Sequence, residues 1–147
     1  MEPKRPEPKP QAQEFSDACR AAVAEEILAA KKAFFEEHGD AAGQVPCELT
    51  GNVMSFGEAH VDHAYPKFGH LVVTFRAARG WHEVIPEGVL TRAQDGQTTT
   101  MFEDAAIAEA FRQFHRATAM VRVIARGQNL AMAARDRRPK IKRPVCL

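Results

Sequence analysis

Hydrophobic positions follow a helical spacing in several parts of this chain. Across residues 15–37, apolar side chains recur at steps of three and four, which places them on one face of an α-helix. The same spacing predicts helices over residues 68–78, before Gly80, and over 103–116. A shorter final helix is predicted at residues 128–136. These segments account for most of the expected core.

Extended segments are predicted between and after the first two of these helices. Residues 45–56 should form two short strands around a turn at 50–52, because Gly-Asn is a turn sequence. A further strand is expected at residues 59–64, before the Tyr-Pro pair that disfavours a helix. Residues 81–90 and 98–102 are also predicted to be extended. The fold class that follows is α+β, with a small hairpin among four or more helices.

The two ends of the chain differ from its middle. Residues 1–13 hold four prolines among charged residues and glutamines, which predicts a disordered arm. Residues 14–136 are predicted to form one domain, since 147 residues suit a single domain. Residues 137–147 are predicted to be an unpacked basic tail. The alternative is a structural strap in which Ile141, Val145 and Leu147 dock on the body.

Composition restricts the class of protein. Apolar residues make up 45% and charged residues 27% of the chain, as in soluble globular proteins, and no apolar run approaches the ~20 residues of a membrane span. No membrane partner is therefore expected. Three cysteines without a CxxC pair argue against a disulfide framework and indicate an intracellular setting, in the cytoplasm or at the nucleoid.

The net charge is only +1, but basic residues gather near the C-terminus. Such a cluster suits an anionic partner, although a merely solvated tail has the same composition. If the partner is a nucleic acid, its contacts would come from two basic positions before the final helix and six after them. These residues are Arg122, Arg126, Arg135, Arg137, Arg138, Lys140, Lys142 and Arg143.

The densest group of chemically active side chains is His60-Val61-Asp62-His63. Asp62 offers an oxygen ligand for a hard cation, and a neutral His63 can accept a proton from water. Side chains alternate faces along a strand, so Asp62 and His63 share a site only if the strand ends there. The Tyr65-Pro66 pair favours such an end. The alternative is a hydrogen-bonded Asp-His pair at the surface.

Residues 47–51, followed by 59–66, resemble the opening of an HNH nuclease. Residues 121–130 are similar to the closing segment of its ββα-metal fold. The resemblance implies an antiparallel hairpin over residues 45–64 with the final helix packed across it. It also implies that Asp62 and Asn129 hold Mg²⁺ or another divalent cation, with Mn²⁺ and Zn²⁺ as options. His63 would activate the attacking water.

Within this group the chain is most similar to the DCL-like domain family, over residues 47 to 130. Plant relatives of that family are linked to ribosomal RNA processing, and bacterial and phage members often accompany HNH-type sequences. The motifs that carry the resemblance are Val61-Asp62-His63-x-x-Pro66, Phe68-x-x-Leu71-x-x-x-Phe75, Phe111-x-x-Phe114-His115, Ala119-x-Val121-Arg122 and Asn129-Leu130.

One part of the HNH pattern is absent from the sequence. HNH motifs carry a middle asparagine that orients the catalytic histidine, whereas this chain has only Asn52 and Asn129. His115 could take over that orienting role, so that His63 and His115 form the catalytic set. Alternatively, His115 interacts with the dipole at the end of its helix, and the site is degenerate and only binds nucleic acid.

The leading hypothesis is a metal-dependent HNH-like endonuclease, with DNA favoured over RNA as substrate. The second is a non-catalytic nucleic-acid-binding or rRNA-processing module of the same fold. The third is a phage-type factor that binds another protein. Catalysis would require a divalent cation and be lost in EDTA, whereas simple binding would survive EDTA, and an interaction factor would show neither property.

Overall fold

The computed structural model describes residues 10–91, 99–131 and 139–147, and for residues 129–131 it describes the backbone alone. Over these residues the chain is α+β, with four helices and two small antiparallel sheets, as the sequence predicts. None of the helices described is long and apolar enough to cross a membrane. The elements are α1 (Gln11–His38), β1 (Val45–Pro46), β2 (Val53–Met54), β3 (Ala59–Tyr65), α2 (Phe68–Ala78), α3 (Ala105–Thr118), β4 (Met120–Ala125) and α4 (Arg126–Ala131).

Helix α1 begins at Gln11, so residues 11–13, which we assigned to the arm, are helical. A tertiary contact explains the earlier start. The Gln11 side chain donates from Nε2 to the Ile85 carbonyl (3.3 Å) and accepts at Oε1 from the Ile85 N–H (3.2 Å). This paired contact fixes the first turn of α1 on a distant segment, which local sequence cannot indicate.

Helix α1 spans two hydrophobic cores. Its first half buries Phe15, Cys19 and Val23 in a helical core shared with α2 and α3. Its second half buries Ala30 and Phe34 in a sheet core. The helical core also contains Phe68, Leu71, Val72, Phe75 and Phe111, and the sheet core also contains Val45, Cys47, Met54, Val61, Val121, Val123 and Ile124.

Strand pairing differs from the predicted hairpin over residues 45–64. Strands β1 and β2 do pair antiparallel, and Gly51 between them has a φ of +76°. However, β3 pairs with β4, from Ala59 opposite Ala125 to His63 opposite Val121. Because β4 is apolar and nearly as long as β3, this pairing buries far more surface than a pairing with the two-residue β2 could.

Helix α2 covers residues 68–78 as predicted. Helix α3 begins two residues after its predicted start, because Asp104 caps its N-terminus: the Asp104 side chain accepts a hydrogen bond from the Ala106 N–H (2.8 Å). Residues 81–90, predicted to be a strand or an extended pair, form no strand. Trp81 instead exchanges hydrogen bonds with Arg76 of α2, and the segment forms only one β-bridge, Leu90 with Phe102. Other backbone partners of the segment lie elsewhere: Gln11 of α1 bonds both backbone groups of Ile85, and the Glu103 N–H donates to the Val89 carbonyl (2.9 Å).

The prediction of an unpacked tail is wrong for residues 139–147. Val145 is only 7% exposed and donates its N–H to the Val121 carbonyl (3.1 Å), and Leu147 packs on the sheet core. The N–H groups of Lys142 and Arg143 both donate to Oε1 of Glu48. The strap alternative therefore describes this segment, because apolar side chains and a buried carboxylate hold it on β4 and the β1–β2 loop. Residues 137 and 138 lie outside the described part.

Candidate functional site

The structure brings His63 and His115 together. Their Nε2 atoms lie 2.8 Å apart, so one ring donates a hydrogen bond and the other accepts it. His63 lies on β3 opposite Val121, and His115 lies in the last turn of α3. Because β4 begins immediately after α3 and pairs with β3, the end of α3 comes to lie beside His63. The chain topology therefore builds the pair.

Both rings sit in an aromatic environment. Phe68 stands 5.0 Å from His63 and 6.4 Å from His115, and Phe111 stands 6.2 Å from His115, between ring centroids. Burial lowers the pKa of His115 to about 4. Burial, followed by the nearby positive charges of His115 and Arg20, lowers the pKa of His63 to about 3. Both imidazoles are therefore neutral near pH 7.

This environment bears on the two interpretations of His115. A histidine that interacts with the C-terminal dipole of a helix gains from being charged. His115 is instead fully buried, with a lowered pKa, and its Nδ1 has no partner in the described structure. The geometry favours the interpretation in which His115 is the hydrogen-bonding partner of His63. The catalytic role of either residue remains a prediction.

Asp62 does not join this pair. It lies opposite Arg122 on β4, and the Arg122 Nε donates to Asp62 Oδ2 at 3.0 Å. Both residues are nearly inaccessible, at 6% and 5% exposure. Strand β3 extends one residue beyond the predicted 59–64, with regular pairing at positions 62 and 63 and a register shift only between His63 and Tyr65, so it does not end where Asp62 and His63 could share a site. Asp62 and His63 therefore face opposite sides of the sheet.

The five predicted nucleic-acid contacts that lie within the described residues divide into three groups. Arg122 is committed to Asp62 in the interior and cannot reach a phosphate. Arg143 forms an ion pair with the buried Glu48, between Nη2 and Oε2 at 3.6 Å. The exposed members are Arg126, Lys140 and Lys142. Arg135, Arg137, Arg138 and the side chain of Asn129 lie outside the described residues.

The described side chains do not fit a divalent cation beside His63. Within residues 10–91, 99–128 and 139–147, no group of three or more His, Cys, Asp or Glu side chains could hold a metal. The Asp62 carboxylate is occupied by Arg122 and lies on the other face of the sheet. A cation held by Asp62 and Asn129 therefore remains a prediction from the resemblance alone.

Sequence reasoning missed two partners in this region. Arg20 of α1 holds its guanidinium carbon 4.4 Å from the Phe68 ring centroid, next to His63, although no local motif marks this residue. The pairing of Asp62 with Arg122 was also missed. A signal for it exists, because an arginine inside the apolar segment Met120–Ala125 requires an acidic partner if that segment is buried.

Comparisons with known proteins add no family to this description. Protein-family models, curated proteins and solved structures were compared with the chain, and none matched.

Proposed function

We propose that this protein acts on nucleic acid as an HNH-like endonuclease in which His63 accepts the proton of the attacking water. One observation carries the proposal. The histidine of the Val61-Asp62-His63-x-x-Pro66 motif is held by a second histidine, His115, at 2.8 Å, where the HNH pattern would supply an asparagine. Such a function implies an intracellular location, in the cytoplasm or at the nucleoid.

The pair fits the needs of a general base. If Nε2 of His63 donates to Nε2 of His115, then Nδ1 of His63 carries a lone pair that can accept a proton from water. His115 then keeps its own hydrogen on Nδ1 and fixes both the tautomer and the orientation of His63. The lowered pKa keeps His63 neutral but also makes it a weak base. A phosphate anion bound nearby would raise that pKa toward neutral pH.

A second candidate function also has an observation in its favour. Asp62, the ligand that the HNH resemblance assigns to the cation, is neutralised by Arg122 and faces away from His63. A site that keeps the histidine but lacks an available carboxylate beside it fits a protein that binds nucleic acid, or takes part in rRNA processing, without cutting it. The two candidates share a nucleic-acid partner and differ in chemistry.

Incubation of the whole protein with single- and double-stranded DNA and RNA separates the candidates. Cleavage with Mg²⁺, Mn²⁺ or Zn²⁺ that EDTA abolishes supports the endonuclease. Binding that survives EDTA without cleavage supports the non-catalytic module and removes the endonuclease. The absence of both binding and cleavage overturns the nucleic-acid function as a whole.

A further inference from the structure

Helix α1 carries one cation at each end of strand β3. Arg20 lies over the ring of Phe68 (4.4 Å), and Lys31 places its Nζ 3.9 Å from the ring centroid of Phe56. Phe56 precedes β3 by three residues and Phe68 follows it by three. Arg20 and Lys31 are about three helical turns apart, so they share a face and are separated by ~16 Å along the helix axis. Helix α1 therefore places one cation near each end of β3, and each cation lies over a phenylalanine ring.

Two further basic groups lie in the same region. The N–H of Arg126 donates to the Glu58 carbonyl (3.2 Å), so α4 begins beside the turn that leads into β3. His60 follows Glu58 by two residues and is half-buried on β3. Arg20 and Arg126 are exposed. These contacts place His60 and Arg126 near the Lys31 end of β3.

The electrostatic environment of His60 agrees with this arrangement. Burial is the first cause that lowers the pKa of His60, and the positive charges of Arg126, Lys31 and Arg20 lower it further, against the opposing effect of Asp62. The pKa of Lys31 is also lowered, by burial and then by Arg126. Each of the three permanent cations is thus close enough to act on His60, and two of them act on each other.

This positive charge is not cancelled locally. Among the described residues, none of Arg20, Lys31 and Arg126 forms an ion pair. Asp62 is already paired with Arg122. The exposed Glu58 is the acid on the adjoining turn, and its carboxylate accepts the Ser55 N–H at 2.9 Å. The Glu58 carboxylate is thus engaged within its own turn.

We propose that Arg20, Lys31, His60 and Arg126 form a phosphate-binding surface, the cationic ridge, which binds the sugar-phosphate backbone of a nucleic acid. The inference rests on the proposed nucleic-acid function and deepens it. A span of ~16 Å matches about five nucleotides of a B-form strand at 3.4 Å each, and cations interleaved with aromatic rings are typical of nucleic-acid grooves.

The direction of the ridge links binding to the histidine pair. Its Arg20 end rests on Phe68, whose ring centroid is 5.0 Å from that of His63. A phosphate held by Arg20 would therefore lie near the Phe68 ring, which contacts His63.

The test measures nucleic-acid affinity of charge-neutralised variants of the whole protein. Arg20→Gln, Lys31→Gln and Arg126→Gln are made singly and together. Lys32→Gln is the matched control, because Lys32 is exposed on the same helix but about 100° around its axis from Lys31. Fluorescence anisotropy follows labelled single-stranded DNA, single-stranded RNA and duplex DNA, and thermal melting confirms that each variant is folded.

We expect each ridge substitution to reduce the magnitude of the negative slope of log affinity against log salt concentration by roughly 0.7 for single strands or 0.9 for duplex. The triple variant should lose at least about tenfold in affinity. Lys32→Gln should bind like the unsubstituted protein. Ridge variants that bind as tightly as Lys32→Gln would overturn the ridge while leaving nucleic-acid binding in place elsewhere.

Two other outcomes overturn the inference in distinguishable ways. If the unsubstituted protein binds none of the three nucleic acids, the proposed function fails together with the ridge. If labelled polyglutamate binds as tightly as the nucleic acids, and the triple variant loses that binding equally, the ridge recognises acidic polypeptide, and its assignment to a nucleic-acid backbone is wrong.

Discussion

His63 and His115 are 52 residues apart in the sequence, yet their Nε2 atoms are joined by a hydrogen bond of 2.8 Å. The β3–β4 pairing and the short step from α3 into β4 create this contact. It requires one donor and one acceptor, so it exists only while at least one ring is neutral. Function and acid stability of the protein should therefore depend on the same two side chains.

The first prediction concerns pH and stability. In the folded protein the pKa values of His63 and His115 are about 3 and about 4, below the usual 6.5 of an unfolded chain. Their stabilising contribution is therefore complete above about pH 6.5 and is lost as the pH falls toward those values. The melting temperature should decrease between about pH 7 and 5, above the range in which ordinary carboxylates titrate.

The matched variants for this prediction are His115→Gln and His82→Gln. Glutamine at position 115 keeps a hydrogen-bond acceptor for His63 but removes one titrating group, so the melting temperature should depend less on pH in that window. His82 is exposed, and its replacement should leave the dependence of the melting temperature on pH unchanged. An equal slope in all three proteins would contradict the assignment of the pH dependence to the histidine pair.

The second prediction concerns the buried ion pair. Asp62→Ala leaves the Arg122 charge without its partner at 5% exposure, so it should lower the free energy of unfolding by about 3–5 kcal/mol. Urea denaturation measures the loss. The double variant Asp62→Val with Arg122→Leu should recover much of it, because no buried charge is then left unpaired. A loss below about 1 kcal/mol for Asp62→Ala would show that Arg122 does not depend on Asp62.

The sequence predicted those parts of the fold that local periodicity determines. The apolar spacing of Phe68, Leu71, Val72 and Phe75 located α2 correctly. The partner of β3 was not predictable in this way. Strands β3 and β4 are separated in the sequence by both α2 and α3, and local periodicity does not say which distant apolar segment pairs with β3. Val145 docks on β4 through the Val121 carbonyl, and this docking was likewise visible only as an alternative.

The candidate site likewise combines residues that the local sequence identifies with contacts that only long-range pairing determines. The Asp62-His63 pair was identifiable from composition and motif, and His115 from its place after Phe114. Which of these residues converge depended on where β3 ends, and the Tyr65-Pro66 pair suggested an earlier end than the structure shows. Because β3 continues through His63, neighbouring side chains alternate faces, and Asp62 contacts Arg122 instead of lying beside His63.

The third prediction concerns the C-terminal strap. Val145 is only 7% exposed and packs on the sheet core. Val145→Ala removes two buried methyl groups and should lower the free energy of unfolding by roughly 1–2 kcal/mol. The neighbouring Cys146 is exposed, and Cys146→Ser should have little effect. If urea denaturation finds the two variants equally stable, the docking of residues 139–147 does not contribute to the fold.

The fourth prediction distinguishes a positioning role of His115 from a purely structural one. His115→Ala removes the acceptor that fixes the tautomer of His63, whereas His115→Gln retains an oxygen that can accept from its Nε2–H. Cleavage rates should therefore fall with alanine and recover in part with glutamine, with nucleic-acid affinity unchanged in both. Equal activity of the two variants at equal folded fraction would exclude the positioning role.

The most direct test of the central claim compares cleavage by the unsubstituted protein with cleavage by His63→Ala, in the presence of Mg²⁺, Mn²⁺ or Zn²⁺, while binding is measured on the same samples. We predict a loss of at least ~10² in cleavage rate with nearly unchanged affinity, because a general base contributes about that factor. The exposed-site variant His82→Ala should cleave normally. Cleavage by His63→Ala within a few-fold of the unsubstituted rate would contradict the account.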